Sequence, residues 1–534
     1  MTLPLVTTWR RWNHPALLAG VLAGVLSLVW ALWLARDAGD LAAQYAWTSF
    51  VRQHPGSAYN LSWYGGIHPA SYSVVSPYLM AWLGVRTTGV LACVCAAVLG
   101  ALAIVRFGVR RPLPPVAWLT VAVWSNLAAG RVTYLLGMVF ALAATILAPA
   151  GTDRRHRPVL AALLGTVATL CSPVAGLFIE VLAAALFLTG RRRDACLLAA
   201  GPPVVIAATS LLFPFSGVQP FPWYAALATF GAAVAVAVLT PPAWRTVRAG
   251  AWVYAAGVAL TWMLPTPIGS NVERLALLAA AAVLFCAAPL IGRRSRMVTA
   301  YLAATGLAAW TLSQPIADLF HTSPASAATA AADARPLIGE LTRLGAQRGR
   351  VEVVPLRTHE EASAVAPHVQ LARGWNRQAD VERNPLFYDG TLTADSYRTW
   401  LHDWSVTYVV LPAREPDSSG LAEAAIITAG QTWLPLVWSN ADWRVYRVAG
   451  SDPLASAPAT VVAAGPAALT VTMPRAGRTV LRIAWSPWLE TSGNGCLVQN
   501  GSWTELVAPD AGTYTIEARY AFDRGTPCAV AASG

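Results

Sequence analysis

Lysine is absent from this sequence: all 38 of its basic residues are arginine. Charge of either sign is scarce, at 12% of residues, where a water-soluble domain carries about 25%. With 56% of its residues apolar, a chain this long could not cover its surface with so few charges, and a wholly soluble protein is excluded. Also missing are a phosphate-binding Walker loop, a GxGxxG turn after a strand, a GxSxG elbow and the kinase motif set. An ATP-driven pump is therefore excluded on this chain's own residues. No CxxC, HExxH or clustered Cys and His pattern appears, so nothing points to structural zinc. Low-complexity tracts and short-period repeats are lacking too, which removes disordered and collagen-like classes.

What is present is unevenly spread. Residues 1–325 hold 21 Arg against 7 Asp and Glu, and residues 326–534 hold 17 Arg against 20. The basic excess belongs to the apolar part, as in a membrane domain with basic loops; a nucleic-acid binder would line one polar face with its arginines. A spanning helix needs roughly 20 mostly apolar residues. Runs near that length fall at 15–35, 88–105, 116–129, 131–149, 159–172, 174–190, 195–213, 223–240, 250–264, 273–291 and 297–314. They predict about eleven spans.

Arginine clusters fall between alternate spans: Arg10 and Arg11; Arg106, Arg110 and Arg111; Arg154, Arg155 and Arg157; Arg191 to Arg193; Arg245 and Arg248; Arg293, Arg294 and Arg296. The opposite connections hold only Arg36, Arg52, Arg86, Arg131 and Arg274. The positive-inside rule then puts the N-terminus in the cytoplasm and the polar C-terminal part outside, in a multi-pass protein of the plasma membrane. The apolar core of the first span exceeds the 7–15 residues of a signal peptide and reads as an anchor. One connection stands out, the first external loop at 36–87. It carries Asp37, Asp40, His54, His68 and many aromatics (Trp47, Tyr59, Trp63, Tyr64, Tyr72, Tyr78, Trp82). Such rings prefer the membrane–water boundary, so the loop is expected to form one or two helices lying in the interface, the first over Asp40–His54 and stopped by Pro55-Gly56.

From about residue 330 soluble patterns begin. DARPLIGELTRLGAQ (333–347) reads as an amphipathic helix, VEVVPL (351–356) and VTYVVLP (406–412) as buried strands, and 393–404 and 420–430 as helices. This alternation predicts an extracytoplasmic α/β domain over 326–450. Beyond the proline-containing stretch 451–458 only strand patterns follow (ALTVTM, TVLRIAWS, CLVQ, TYTIEARYAF, CAVA), and a C-terminal β-sandwich over 451–534 is expected. Five of the cysteines (Cys93, Cys95, Cys171, Cys196, Cys286) fall in predicted spans, where Cys behaves as a small apolar residue. Cys496 and Cys528 alone lie in the outer part, in one β-rich region, and in an oxidising compartment they should pair.

Chemistry must then use the acids and arginines at the outer edge of the membrane domain. Asp37 and Asp40, in RDAGDLAAQY, stand where the first span ends. A carboxylate there can deprotonate an acceptor hydroxyl, or hold a divalent cation such as Mg or Mn against a phosphate. The plainer reading of Asp40 is a cap on the following helix. PTPIGSNVERLA places Asn271, Glu273 and Arg274 at the external start of a span, where an arginine fork suits a lipid phosphate; an Arg–Glu pair that only orients the helix is the alternative. Arg131, in NLAAGRVTY, could touch phosphate or simply snorkel. Glu180, in LFIEVL, is an acid inside a span, and such groups are either functional or paired with an arginine for structure. His54 and His68 could bind substrate, though a lone loop histidine is more often a surface residue. The stretch GWNRQADVERNPLFYDG (374–390) could stack and hydrogen-bond a sugar or serve as a loop docked on the membrane domain.

In arrangement the chain resembles the GT-C superfamily of membrane glycosyltransferases. The likeness is an N-in polytopic domain, a long first external loop opening on an acid pair, amphipathic interfacial helices in that loop, and a C-terminal extracytoplasmic domain. In motif it rests on RDAGD and GSNVERL. It looks most like actinobacterial membrane proteins of this class and, more distantly, the arabinofuranosyl- and mannosyltransferases of actinobacterial envelopes. That resemblance implies a polyprenyl-phosphate sugar donor, an envelope glycan or lipid as acceptor, contact with membrane lipids and no nucleic acid. It also puts the catalytic acid in the first external loop, at Asp40 with Asp37 as fallback, and donor phosphate on Arg274 and Arg131. The family's acids are commonly adjacent or alternating and here they stand three apart, which bears more on metal binding than on base chemistry. Two rival readings are a transporter or flippase coupled through Glu180, and an inactive relative that serves envelope assembly. The matched broken helices of transporter repeats are not seen in this sequence.

Overall fold

The computed structural model describes residues 5–34, 40–148, 156–321 and 327–528. The chain divides into two compact units, residues 1–41, 73–212 and 218–324 in the first and residues 42–72, 213–217 and 325–534 in the second.

The first unit is helical. Each predicted apolar run falls on a helix among the described residues: Leu5–Val29, Val85–Arg106, Leu113–Ala128, Val132–Leu147, His156–Cys171, Pro173–Leu188, Arg192–Leu212, Trp223–Leu239, Arg245–Met263, the composite helical stretch Gly269–Leu290 and Arg294–His321. Four segments are long and apolar enough to cross a membrane: Pro15–Trp33, Val85–Arg106, Arg192–Leu212 and Gly269–Leu290. Their neighbours Leu113–Ala128, Val132–Leu147, Pro173–Leu188 and Trp223–Leu239 are apolar but only 16–17 residues long. Large apolar side chains such as Leu17, Val21, Val204, Leu211, Leu227 and Leu302 stand exposed on these helices. Water would penalise that surface and a bilayer would cover it. Between helices the close approaches use small residues. A methyl on Gly137 would sit 2.8 Å from the Ala175 side chain, and one on Gly176 would collide with Thr169. Helices in lipid associate through contacts of this kind, because lipid offers no hydrophobic drive between them.

The second unit contains three sheets. Strands β1 (Arg350–Val353), β2 (Gln370–Leu371), β3 (Val406–Pro412), β4 (Leu436–Ser439) and β5 (Trp443–Arg447) form one sheet in the order β2-β1-β3-β5-β4. β1 runs parallel to β2 and β3, while β5 pairs antiparallel with both β3 and β4. The apolar runs around 351 and 406 are its central strands, buried along nearly their whole length. Helices Ala327–Arg343, Ala394–Asp403 and Leu421–Thr428 occupy the predicted helical stretches. The C-terminal strands are β6 (Thr460–Ala464), β7 (Ala468–Met473), β8 (Gly477–Ala484), β9 (Glu490–Thr491), β10 (Cys496–Asn500), β11 (Trp503–Ala508) and β12 (Gly512–Glu517). They make two antiparallel sheets, β10-β11-β8 and β6-β7-β12-β9. Cys496 and Cys528 are joined in a disulfide. Of the CAVA run only Cys528 is described, and its backbone N–H donates to Leu497 O at 3.1 Å.

The first external loop departs from expectation. Its helix forms, at Leu41–Gln53, but residues 42–72 do not lie as an interfacial element. Ala43, Ala46, Trp47, Trp63, Tyr64 and Ile67 are buried in one apolar core with Leu337, Leu341, Val351, Val353 and Val409. Trp47 and Trp63 meet edge to face at 5.0 Å. Trp63 Nε1 donates to Ala362 O at 3.2 Å, and the Leu371 N–H donates to Ser62 O at 2.8 Å beside the sheet edge. Full burial of these large rings recovers more apolar area than half-immersion at a membrane surface, and the indole N–H still finds a carbonyl.

Candidate functional site

The site assembles at helix ends of the first unit. The backbone N–H of Asp40 donates to Ala129 O at 3.2 Å, in the short connection between helices Leu113–Ala128 and Val132–Leu147. Gly130 turns that connection with φ +70°, a conformation glycine adopts without Cβ strain. Arg131 then caps the next helix, its N–H donating to Asn126 O at 2.9 Å. The other half of the site is the 3₁₀ turn Gly269–Glu273, which leads into Arg274. A second strand of chain clamps this turn: Gln219 N donates to Thr266 O at 3.0 Å, and its Nε2 donates to Ser270 Oγ at 3.1 Å. At Gly269, with φ +41°, a side chain would run into Gln219 O, so only glycine fits. Tyr254 finishes the clamp, donating its hydroxyl to Val272 O at 2.6 Å and accepting from the Ala276 N–H at 3.3 Å.

These scaffolds bring Arg274 to Asp40, with Nη2 3.3 Å from Oδ2. The Arg274 guanidinium lies 5.4 Å from the centre of the Tyr134 ring, a cation–π distance. Arg131 is within electrostatic reach of Arg274, Asp40, Glu273 and Tyr134. Asp40 and Arg274 are thus paired, with Arg131 and Glu273 close enough to act on them electrostatically. The Arg274–Asp40 contact uses one of the five N–H donors of the fork, and the side chains remain 15% and 30% exposed. Both sides of the site carry wide π turns, Trp30–Leu34 before Asp40 and Ala276–Ala280 after Arg274. Such turns recur where a helix is bent to a task.

The remaining candidates divide. Asp37 lies outside the described residues. Asn271 sits on the clamped 3₁₀ turn beside Glu273, its N–H donating to Ile268 O. Glu180 lies within Pro173–Leu188; its Oε1 is buried with no hydrogen-bond partner, and among the described residues no ion pair holds it, so the structural pairing with an arginine is not observed. His54 ends the Leu41–Gln53 helix against Phe50, lining a cleft with Asn60, Ser62 and Trp63; burial lowers its pKa. His68 is no surface residue. It is 4% exposed, with Nδ1 2.7 Å from Ala58 O and Nε2 3.0 Å from Ser486 Oγ, packed against Tyr59 and Phe213. Burial pushes it down to about 4, and a neutral, bonded imidazole in that position ties the loop to the C-terminal strands.

The stretch 374–390 is half-buried for most of its length, with Asn376, Ala379, Asp380 and Asn384 buried. Asn376 caps the helix Arg377–Arg383, accepting from the Ala379 N–H at 3.0 Å. Asp380 is buried and paired with Arg373 at 2.6 Å, and it accepts from Asn384 and Tyr388. Those polar groups serve the fold and leave none of themselves for a sugar. Sequence reasoning missed Tyr134 and Tyr254. The first could have been found: Arg131 and Tyr134 stand three apart at a helix start and share a face.

Among the described residues no group of three or more His, Cys, Asp and Glu is placed to hold a metal ion. Residues 456–533 match the model of a domain of unknown function, DUF8823, which covers the C-terminal strands and none of the residues around Asp40. No curated protein matches the chain by sequence. Among solved structures it is similar to the arabinofuranosyltransferase AftD from Mycobacteria, with 16% identity and a TM-score of 0.42 over 82% of this chain and 42% of that one. The chain thus spans about two-fifths of that relative's length. It is similar also to ArnT from Cupriavidus metallidurans, solved with undecaprenyl phosphate (13% identity, TM-score 0.39, 84% of this chain and 100% of that one) and in the apo state (13%, 0.40, 77% and 94%).

Proposed function

We propose that this chain is a membrane glycosyltransferase that moves a sugar from a polyprenyl-phosphate donor to an envelope glycan or lipid at the outer face of the plasma membrane. The observation that carries the reading is the meeting of Asp40 with Arg274 beside Arg131. Transfer needs a base for the acceptor hydroxyl and a stabiliser for the phosphate that leaves, and this arrangement offers both within one charge cluster. In the reaction the acceptor oxygen forms a bond to the anomeric carbon as the bond from that carbon to the phosphate oxygen breaks. The hydroxyl proton passes to the Asp40 carboxylate, and the polyprenyl phosphate departs with its charge matched by Arg274 and Arg131.

Arg274 meets Asp40 through a single 3.3 Å contact. Donor phosphate offers Arg274 a bidentate partner, and the guanidinium turning to it releases the carboxylate for the proton. Donor binding then arms the base.

The test is transfer from a polyprenyl-phosphate sugar by the reconstituted full chain. Asp40→Asn keeps shape and removes the basic oxygen, so turnover should fall by about 10²–10⁴-fold with folding intact. Full activity in that variant would sink the mechanism. A transporter reading draws on the unpartnered Glu180 oxygen; it would be favoured if Glu180→Gln abolished lipid-linked sugar movement across the bilayer while no variant altered transfer.

A further inference from the structure

Phe522 projects wholly into solvent, with a relative exposure of 110%. It tips the loop that follows β12, between Tyr520 and Arg524, and that loop is rigidly based. Tyr520 N donates to Gly56 O at 3.0 Å, Trp488 packs against Tyr520 at 5.8 Å, and the Arg524 guanidinium lies 4.7 Å over the Trp488 ring. Phe213 joins the same cluster, stacked on Trp488 at 5.0 Å and 13° and edge-on to Tyr520 at 6.1 Å. Phe213 is the residue covalently after Leu212, the last of a 21-residue apolar helix long enough to cross a membrane. Leu211 and Leu212 at its end are themselves exposed. The cluster member Phe213 therefore follows directly in the chain on a helix long and apolar enough to cross a membrane.

We propose that the Tyr520–Arg524 loop is a membrane-surface anchor whose partner is the phospholipid bilayer at the headgroup–acyl boundary. A lone protruding Phe above Trp and Tyr, beside an arginine, is the composition that boundary selects: the ring enters the acyl region and the guanidinium stays among the phosphates. Carbohydrate stacking favours a ring backed by hydrogen-bonding groups, and Phe522 presents both faces bare. The anchor holds the C-terminal strands at the bilayer independently of any chemistry at Asp40, so its failure and the failure of the glycosyltransferase reading are separate results.

The experiment replaces the ring with a photoreactive one, Phe522→p-benzoylphenylalanine, in the full chain reconstituted into vesicles of phosphatidylcholine and phosphatidylglycerol. Val462, an exposed apolar residue of β6, takes the same substitution as control. Irradiation should attach phospholipid at 522 with a yield at least about tenfold that at 462, as an inserted ring requires, while the Cys496–Cys528 disulfide stays oxidised. Equal lipid yields at the two positions, or attachment at 522 chiefly to a second copy of the protein, would overturn the proposal.

Discussion

Lysine in place of Arg274 separates phosphate recognition from simple charge. Arg274 holds Asp40 at 3.3 Å and lies 5.4 Å from the Tyr134 ring centre. Two unit charges about 4 Å apart at an effective dielectric near 20 attract by about 4 kcal/mol, and Arg274→Lys keeps that attraction. It loses the planar fork, and with it the second hydrogen bond to an ionic acceptor, about 1.5–3 kcal/mol. At about 1.4 kcal/mol per decade, kcat/KM for the lipid donor should fall roughly 10- to 150-fold. Arg274→Met removes the charge too and should fall further. The assay varies donor and acceptor separately in proteoliposomes. In the proposed mechanism the arginine meets phosphate and not the incoming hydroxyl, so the acceptor KM should hold while the donor parameters move. Unchanged donor use in Arg274→Lys would refute the phosphate role. An equal loss against both substrates would also refute it, since that is what a residue merely orienting Asp40 would give.

Two predictions concern the second unit. Cys496→Ser with Cys528→Ser opens a loop of 32 residues, and chain entropy puts the lost stability at about 3–4 kcal/mol; a thermal transition unmoved by reductant would contradict this. Burial pushes the Glu423 carboxyl up to about 7 from 4.5, and burial together with the Glu423 charge pushes buried Glu352 the same way. An acid whose folded pKa is raised stabilises fully below its unfolded value and loses that contribution as pH rises through the folded one. The unit should therefore melt lower as pH climbs from about 5 to 8, with a shallower slope in Glu423→Gln, while Asp380 and Asp417, held down by Arg373 and Arg377, titrate below that window. A melting temperature that rises across the window would reverse the argument.

The apolar runs were legible because a helix in lipid must be apolar for its full length, so composition alone marks it. The strands around Val351 and Val406 were legible for a related reason: a strand buried on both faces reads as a continuous β-branched run. Strands β4 and β6 were not, nor were the interior strands β5 and β11. Leu436–Ser439 is half exposed, and Thr460–Ala464 carries as much alanine as valine, so neither shows the period or the composition of a core strand. The cysteine pair was legible because chemistry restricts its partners. At the candidate site, types and positions could be read for Asp40, Arg131, Glu273 and Arg274, each a charge at the edge of an apolar run. That Arg274 would meet Asp40, 234 residues away in sequence, could not be.

The aromatic first loop shows where such reading runs out. Trp47, Trp63 and Tyr64 satisfy two different environments equally well on composition, a membrane surface and a protein core, because each ring offers a large apolar area and one polar atom. The choice is made by partners that no local pattern reveals. Ala362 O takes the Trp63 N–H, Gly374 O takes the Tyr64 hydroxyl at 2.7 Å, and Leu337 and Val351 supply the apolar wall. All of these lie about 270 to 310 residues further on. Composition was as uninformative at 374–390, which could be read as a sugar platform or as a loop docked on the membrane domain. There the decisive fact is stoichiometric: Asp380 alone meets Arg373, Asn384 and Tyr388, and a carboxylate with its lone pairs so engaged has little left to offer a ligand.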